Sequence, residues 1–353
     1  MPVSIVVGGQ FGSEGKGKVS LELARRARRA DIPTTVVRVG GPNSGHTGYN
    51  KSGKKFALRQ LPAGCIDCDV DVVFPAGSYI DVDLLFQEVS ELNFPQDRIK
   101  ISHHARLITQ EHKDWERNGE LVQSIGSTGS GVGAAVMAAV ARQSTNFSLD
   151  SLVAQDNASL QPFIANSTEL LRGKLDRDHR VIIEGTQGFG LSLLDGGYWP
   201  KATARSTTAA AALAEAGLSP MDVDDVTLVI RSFPIRVAGD SGPLPNEVSW
   251  EYVASLTARK AIDIQEYTTV TKKLRRVGKF DPALVRAAIA ANRPNRIVMN
   301  HLDYVGGKEQ LKCPESDVQK FLYFAEEAIG RVVDCVAFSE LDVVEVRKAL
   351  LSD

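Results

Sequence analysis

Eight short runs rich in apolar, β-branched residues recur along the chain, most of them continuous rather than alternating with polar residues: Ser4–Val7, Thr34–Val39, Val70–Phe74, Arg98–Ser102, Arg180–Glu184, Val226–Ile230, Arg296–Met299 and Val332–Ala337. A strand with one wet face alternates, so runs that do not alternate are expected to be buried on both faces, as in parallel sheets covered by helices. Helical stretches lie between the runs. Lys18–Ala30 reads as an amphipathic helix with an arginine-rich face, and Asp81 is placed to cap a helix over Val82–Leu92. The alternation predicts an α/β fold, one large mostly parallel central sheet flanked by helices. A hairpin is expected at Tyr49–Leu61, turning at Asn50-Lys51-Ser52-Gly53. No repeat, low-complexity tract or linker divides the chain, so residues 1–353 are expected to form a single domain with insertions.

Composition removes several functions. With 41 Lys+Arg against 43 Asp+Glu the formal net charge is −2, which gives no bulk attraction for nucleic acid or an acidic membrane. Any anion must meet a local site. The longest uncharged stretch, Leu121–Ala141, could span a bilayer by length, but Gly126, Gly129, Gly131, Gly133 and three serines make it read as a flexible loop. Met1 and Pro2 lead straight into a strand-like run with no signal peptide, so a cytoplasmic protein is expected. Cys65 and Cys68 have C-x-x-C spacing but no second pair at metal-site spacing, and packed, reduced thiols are the better reading.

In open α/β sheets, ligands bind beyond the carboxyl ends of the strands, so the loops there are the candidates for chemistry. The first run ends in Gly8-Gly9-Gln10-Phe11-Gly12-Ser13-Glu14-Gly15-Lys16-Gly17-Lys18 just before a helix. Inward-pointing amides, a helix N-terminus and two lysines together suit a polyphosphate. The loop fits G-x-x-x-x-G-K from Gly12 to Lys18, but Val19 stands where a magnesium-binding Ser or Thr is usual. The second run ends in Gly40-Gly41-Pro42-Asn43-Ser44-Gly45-His46-Thr47, where a histidine in a glycine loop is a candidate general acid toward phosphoryl oxygen. Ile125–Gly133 and Glu184–Gly190 are two further loops of small residues.

Taken together these loops resemble adenylosuccinate synthetase, whose first loop typically reads G-x-Q-W-G-D-E-G-K-G-K, followed by N-A-G-H-T, I-G-T-T-G-x-G-x-G-P and E-G-x-Q-G. The resemblance continues through Arg231–Pro245, Tyr267–Asp281 and Asn300–Asp303. It implies a ligase that phosphorylates O6 of a purine nucleotide with a nucleoside triphosphate and Mg²⁺, then displaces the phosphate with the amine of L-aspartate. Such chemistry needs charge neutralisation and alignment more than covalent help.

By position, the resemblance implies that Gly12, Glu14, Gly15, Lys16, Gly17, Lys18, Gly45, His46 and Thr47 hold the triphosphate. Lys16 touches the transferring phosphate, His46 acts as the acid, Gln187 joins the catalytic set, and Gly45 with Ser13 would hold Mg²⁺. Ser13, Asn43, Thr128, Gln187, Thr203 and Val237 would hold the purine monophosphate, with Arg142 reaching in from the partner subunit of a homodimer. Thr269, Thr271, Lys273 and Arg275 would hold aspartate. Asn300, Asp303 and Ser339 fall where the family reads the donor base.

The departures narrow the substrate. The family's catalytic aspartate is Ser13 here, and a hydroxyl is no base at neutral pH without activation. Serine leaves room beside the purine for a 2-amino group, which fits dGMP and resembles a phage branch of the family that makes a 2-aminoadenine precursor. A phage-encoded member would work in the host cytoplasm. Lys273 replaces an arginine that touches the ribose 2′-hydroxyl, which a deoxyribose lacks. The donor-base motifs have lost a lysine and a glycine, which points to ATP or dATP, with GTP still open at Asp303. An ordinary synthetase using IMP and GTP, or a noncatalytic nucleotide-binding homologue, are the competing readings.

Overall fold

The computed structural model describes residues 3–119, 121–268 and 272–347. Its centre is a ten-stranded sheet. From one edge the strands run Val344–Glu345, Cys335–Val336, Arg296–Asn300, Val223–Arg231, Val3–Gly8, Arg180–Glu184, Thr34–Arg38, Val70–Phe74, Ile99–Ser102 and Ile164–Ala165. Every pairing is parallel except the first, where Cys335 and Glu345 face each other antiparallel.

The continuous apolar runs have a direct physical cause. Along the first strand Val3, Ile5 and Val7 enter one core, with Val181, Ile183 and Leu228, while Val6 enters the other, with Val36, Val72 and Ile182. Both faces are dry, so an alternating polar face is excluded, and the one polar side chain of this strand, Ser4, is buried with its hydroxyl donating to Asp225 Oδ2. The helix Val82–Leu92 packs on the second core through Leu85 and Val89, and Asp81 caps it by accepting from the Leu84 amide at 3.4 Å.

The structure differs from the sequence reading in a few places. The first helix starts at Lys16, two residues early, because Gly15 takes φ 93° and turns the loop directly into it. The hairpin strands are His46–Tyr49 and Lys55–Leu58, so His46 opens a strand instead of lying within the loop. The expected strand at Val332–Ala337 is confined to Cys335–Val336. Leu121–Ala141 is not all loop: Val132–Ala141 is a helix. Among the described residues no helix is long and apolar enough to cross a membrane.

Glycines at two positions have opposite consequences. A Cβ on Gly188 would lie 2.3 Å from Glu14 Oε1 and 2.4 Å from the Gly12 amide nitrogen, so Gly188 lets two loops touch. Gly173 lies inside the helix Ser167–Leu175, and its nearest neighbour would be Arg177 Nη1 at 3.7 Å. Gly173→Ala should therefore raise stability by about 0.5–1 kcal/mol, whereas Gly188→Ala should lower it by roughly 1–3 kcal/mol. Urea unfolding of both variants checks the opposite signs.

Candidate functional site

The loop after the first strand folds around its own carboxylate. Glu14 has no exposed surface; its Oε1 accepts from the Gln10 amide at 3.1 Å and the Gly12 amide at 2.8 Å, and its Oε2 accepts from Lys16 Nζ at 2.8 Å. Lys16 is nearly as buried. Gly15 caps the helix, and Gly17 faces His46, where a Cβ would stand 2.9 Å from the His46 Cβ. Lys18 donates to the Ser339 carbonyl at 2.8 Å; burial lowers its ammonium to about 8 although Asp342 and Asp303 oppose the shift.

Ser13 is exposed, with its backbone in the left-handed region at φ 58°. Its carbonyl accepts from Arg231 Nη1 at 3.0 Å, and Arg231 is wholly buried. The hydroxyl is thus presented outward from a fixed main chain. Asn300 does not face the opening: it is fully buried and its Nδ2 donates to the Glu14 carbonyl at 2.6 Å.

A second assembly surrounds His46. Its Nδ1 pairs with Glu184 Oε1, and Glu184 also accepts from the amides of Ala63 at 3.0 Å and Gly64 at 3.2 Å. Arg38, fully buried at the end of its strand, places Nη1 3.3 Å from both ring nitrogens and donates to the Ser44 carbonyl at 2.9 Å. A guanidinium only donates, so the pairing requires a proton on Nδ1, directed at Glu184, and a lone pair on Nε2. Burial and the Arg38 charge lower His46 to about 4, against the pull of Glu184. Burial would raise Glu184, but its bond from His46 and the charge of Arg38 outweigh that and hold it near 2. The imidazole is neutral and the carboxylate ionised.

From His46 the contacts run on through three loops. Ser44 Oγ lies 3.3 Å from Nε2 and accepts from the Gln187 amide at 3.4 Å; Gln187 Nε2 donates to the Asn43 carbonyl at 3.2 Å; Asn43 Nδ2 donates to Thr203 Oγ1 at 3.4 Å. Gln187 has φ 55°, which turns its side chain toward Gly12. Gly45 and Thr47 flank His46 on the exposed side.

The remaining sequence-selected residues are placed as follows. Thr128 lies in a loop whose amides at Gly131, Gly133 and Ala134 converge on buried Glu116, and its hydroxyl is 2.7 Å from Ser130 Oγ. Val237 is half-buried. Arg142 is exposed at the C-terminal end of the helix Val132–Ala141. Lys273 is exposed; Arg275 is half-buried, and burial lowers its guanidinium. Thr269 and Thr271 lie outside the described residues. Asp303 is not open: Arg259 pairs with its carboxylate at 2.9 Å and donates to its carbonyl at 2.6 Å.

The donors available to a divalent cation are few. Glu14 is committed to amides and Lys16, and Glu184 to amides and His46, and among the described residues no cluster of three or more His, Cys, Asp or Glu could hold a metal. The Gly45 carbonyl and Ser13 hydroxyl are neutral oxygens on the exposed rim, a set that fits Mg²⁺ held mainly by phosphates and water. Arg38, Glu184 as a histidine partner, Glu116, Arg231 and Arg259 were not selected from sequence; a charged residue at the end of an apolar strand was the available signal for the first two and for Arg231.

The family model described as adenylosuccinate synthetase matches residues 5–157 and 146–316. Adenylosuccinate synthetase of Methanocaldococcus jannaschii is 38% identical over 343 residues, covering 95% of this chain and 93% of that protein. The Pyrococcus horikoshii protein of the same name is 35% identical over 339 residues, 94% of each. Among solved structures, cyanophage S-2L succinoaminodeoxyadenylate synthetase bound to dGMP and dATP superposes with a TM-score of 0.80 at 27% identity, over 99% of this chain and 98% of that one. Plasmodium falciparum adenylosuccinate synthetase shares the fold, with a TM-score of 0.83 at 19% identity over 98% and 100% of the two chains.

The charge state of His46 is directly testable. In the free protein its ¹⁵N shifts should keep the pattern of a neutral ring protonated at Nδ1 from pH 8 to about pH 5, where an ordinary histidine titrates near 6.5. Because the folded value lies below the unfolded one, the stability it contributes is complete above 6.5 and is lost as pH falls toward 4. Glu184→Gln should lower the His46 value further, since the carboxylate supports the imidazolium.

Proposed function

Because this chain belongs to the adenylosuccinate synthetase family, ligases that join aspartate to a purine nucleotide with use of a nucleoside triphosphate, we propose that its purine is dGMP and its product 2-amino-2′-deoxy-N6-succinyladenylate. The observation that carries this reading is Ser13: a small, exposed hydroxyl on a main chain fixed by Arg231, at the position of the family's catalytic carboxylate. It leaves volume beside the base for the 2-amino group. The likeness to a phage enzyme bound to dGMP and dATP supports the same choice. The archaeal relatives at 35–38% identity are ordinary synthetases and favour the alternative, IMP with GTP.

In this reading O6 of the purine attacks the γ-phosphorus as the N1 proton passes to water and the bond to the β-phosphate oxygen breaks, and the aspartate amine, giving up a proton, then forms the C6–N bond as phosphate leaves. Lys16 and the loop amides take up phosphate charge once the nucleotide competes with Glu14 for them. The Gly45 carbonyl and the Ser13 hydroxyl would hold Mg²⁺, which would supply charge neutralisation when bound. His46 is neutral in the free protein; the negative charge of the incoming phosphates raises its affinity for a proton at Nε2, while Glu184 keeps Nδ1–H in place. Gln187, Asn43, Thr128, Thr203 and Val237 orient the monophosphate. Arg275 and Lys273 grip aspartate, with Thr269 and Thr271. Arg142, exposed at its helix end, is suited to reach the site of the second subunit in a homodimer.

ATP or dATP suits the donor site because Asp303, the carboxylate that would accept from a guanine edge, is already engaged by Arg259. The His46–Glu184–Arg38 assembly argues against a noncatalytic homologue, since binding alone needs no oriented acid.

Phosphate release with aspartate, Mg²⁺ and ATP decides between substrates. The kcat/KM for dGMP should exceed that for IMP by at least about 100-fold; equal or faster use of IMP would leave the ordinary synthetase as the correct reading. Ser13→Asp should reduce dGMP turnover by roughly 10- to 200-fold, with at most partial gain for IMP because Lys273 remains. Faster dGMP turnover in that variant would show that Ser13 is a weakened catalytic position, not a selector.

A further inference from the structure

Arg231 does more than hold Ser13. Its Nη1 also lies 3.4 Å from Glu266 Oε2, and its Nη2 pairs with Glu266 Oε1, so one guanidinium bridges the Ser13 carbonyl and the Glu266 carboxylate. The Tyr304 hydroxyl donates to Glu266 Oε1 at 2.9 Å, and the Tyr304 ring has Arg231 5.9 Å from its centroid and Arg259 at 5.5 Å. Arg259 is the residue that engages Asp303.

Glu266 in turn lies where two short stretches, 266–268 and 273–275, pair with each other. Its carbonyl accepts from the Arg275 amide at 2.8 Å, Tyr267 bridges Leu274 antiparallel, and the Thr268 amide donates to the Lys273 carbonyl at 2.9 Å. The two stretches are thus fastened to each other, and the Glu266 side chain fastens them to Arg231. No hydrogen bond between the described backbones of residues 9–15 and 266–275 does the same task. The link between the loop bearing Ser13 and the segment bearing Lys273 and Arg275 is carried by side chains.

We infer that Glu266 is a positioning residue for the ligation step: through Arg231 it fixes the spacing between the Ser13 loop, where the purine reacts, and the segment that presents aspartate. The inference rests on the proposed function only in taking these two segments as the purine and aspartate sites. Its chemistry is that of a bidentate guanidinium–carboxylate pair, which sets distance and plane together. A carboxamide at 266 keeps the shape and can still accept from Tyr304, but it loses the ionic pairing. An alanine loses all of it and leaves the buried Arg231 charge uncompensated.

Displacing reacting groups by about 1 Å costs on the order of 100-fold in rate, so the effect should appear in the ligation step and in aspartate, not in the purine. Steady-state kinetics of full-length Glu266→Gln should show KM for aspartate raised about 10-fold and kcat lowered about 10-fold, with KM for the purine nucleotide within about 3-fold of wild type. Tyr304→Phe removes one hydroxyl and keeps the fold testable if Glu266 variants fail to accumulate; it should move the same two constants in the same direction by about 3-fold. Arg231→Lys combined with Glu266→Gln should cost little more than the worse single change, as expected of residues acting as one unit. All variants are assayed with whichever of dGMP and IMP the wild type uses better, so failure of dGMP specificity leaves this test intact. Unchanged aspartate KM in both Glu266→Gln and Tyr304→Phe, or equal loss for aspartate and purine, would overturn the positioning role and leave a merely structural ion pair.

Discussion

A carboxylate with no exposed surface is costly unless its lone pairs are met, and Glu14 is met by two loop amides and by Lys16. Meeting them bends residues 10–14 into a closed turn, and the turn decides the surroundings. Gly8 and Gly188 lack side chains where the carboxylate packs, since a Cβ on either would fall within 2.4 Å of a Glu14 oxygen. Asn300 comes from a distant strand to hold the Glu14 carbonyl. The arrangement also keeps Lys16 fixed in a low-dielectric site with a single internal anion as its partner. In the proposed reading a phosphate arriving there would exchange one anion for another instead of finding a bare ammonium, and the loop would be preorganised before the nucleotide binds.

The sheet was legible because its strands are covered twice. Val3, Ile5 and Val7 on one face and Val6 on the other are all buried, Ser4 is buried only with Asp225 as its partner, and the mainly apolar run in the sequence reports that double cover. Where the cover thins, the signal fails. The edge strands Ile164–Ala165 and Val344–Glu345 are two residues each, too short to carry any periodicity. The helix Val132–Ala141 was hidden for a different reason: alanine and glycine on all sides leave no polar face, so a helix and a flexible run of small residues look alike in sequence.

The same contrast divides the site. Glycines clustered after a strand mark a phosphate-type loop because the local chain alone makes the turn, so Gly12–Lys18 and the His46 loop could be read locally. The groups that tune them come from far along the chain: Glu184 is 138 residues from His46, and Arg231 is 218 residues from Ser13. Nothing near either residue announces its partner. Glu116 is similar, since it collects the amides of Gly131, Gly133 and Ala134 from another element. What remained visible was charge in an awkward place, such as Arg38, Glu184 and Arg231 closing otherwise apolar strands, and that pattern locates a buried pair without naming its members.

Ser13 itself bears on why the loop was free to change. Its φ of 58° lies where glycine is at ease and where asparagine or aspartate is tolerated, while other side chains are strained by roughly 1–2 kcal/mol. The conformation is imposed from outside the side chain, by Arg231 on the carbonyl and by the closed turn around Glu14, so replacing the side chain leaves the main chain in place. Were position 13 needed only to complete the turn, glycine would fill it with less strain. A serine there, exposed and held only through its backbone, is consistent with the proposed role of its hydroxyl and small volume toward a ligand, since strained positions often gather at functional sites. The main chain at position 13 is thus held independently of its side chain, so in the proposed reading a change of side chain there would alter what meets the purine without rebuilding the loop around it.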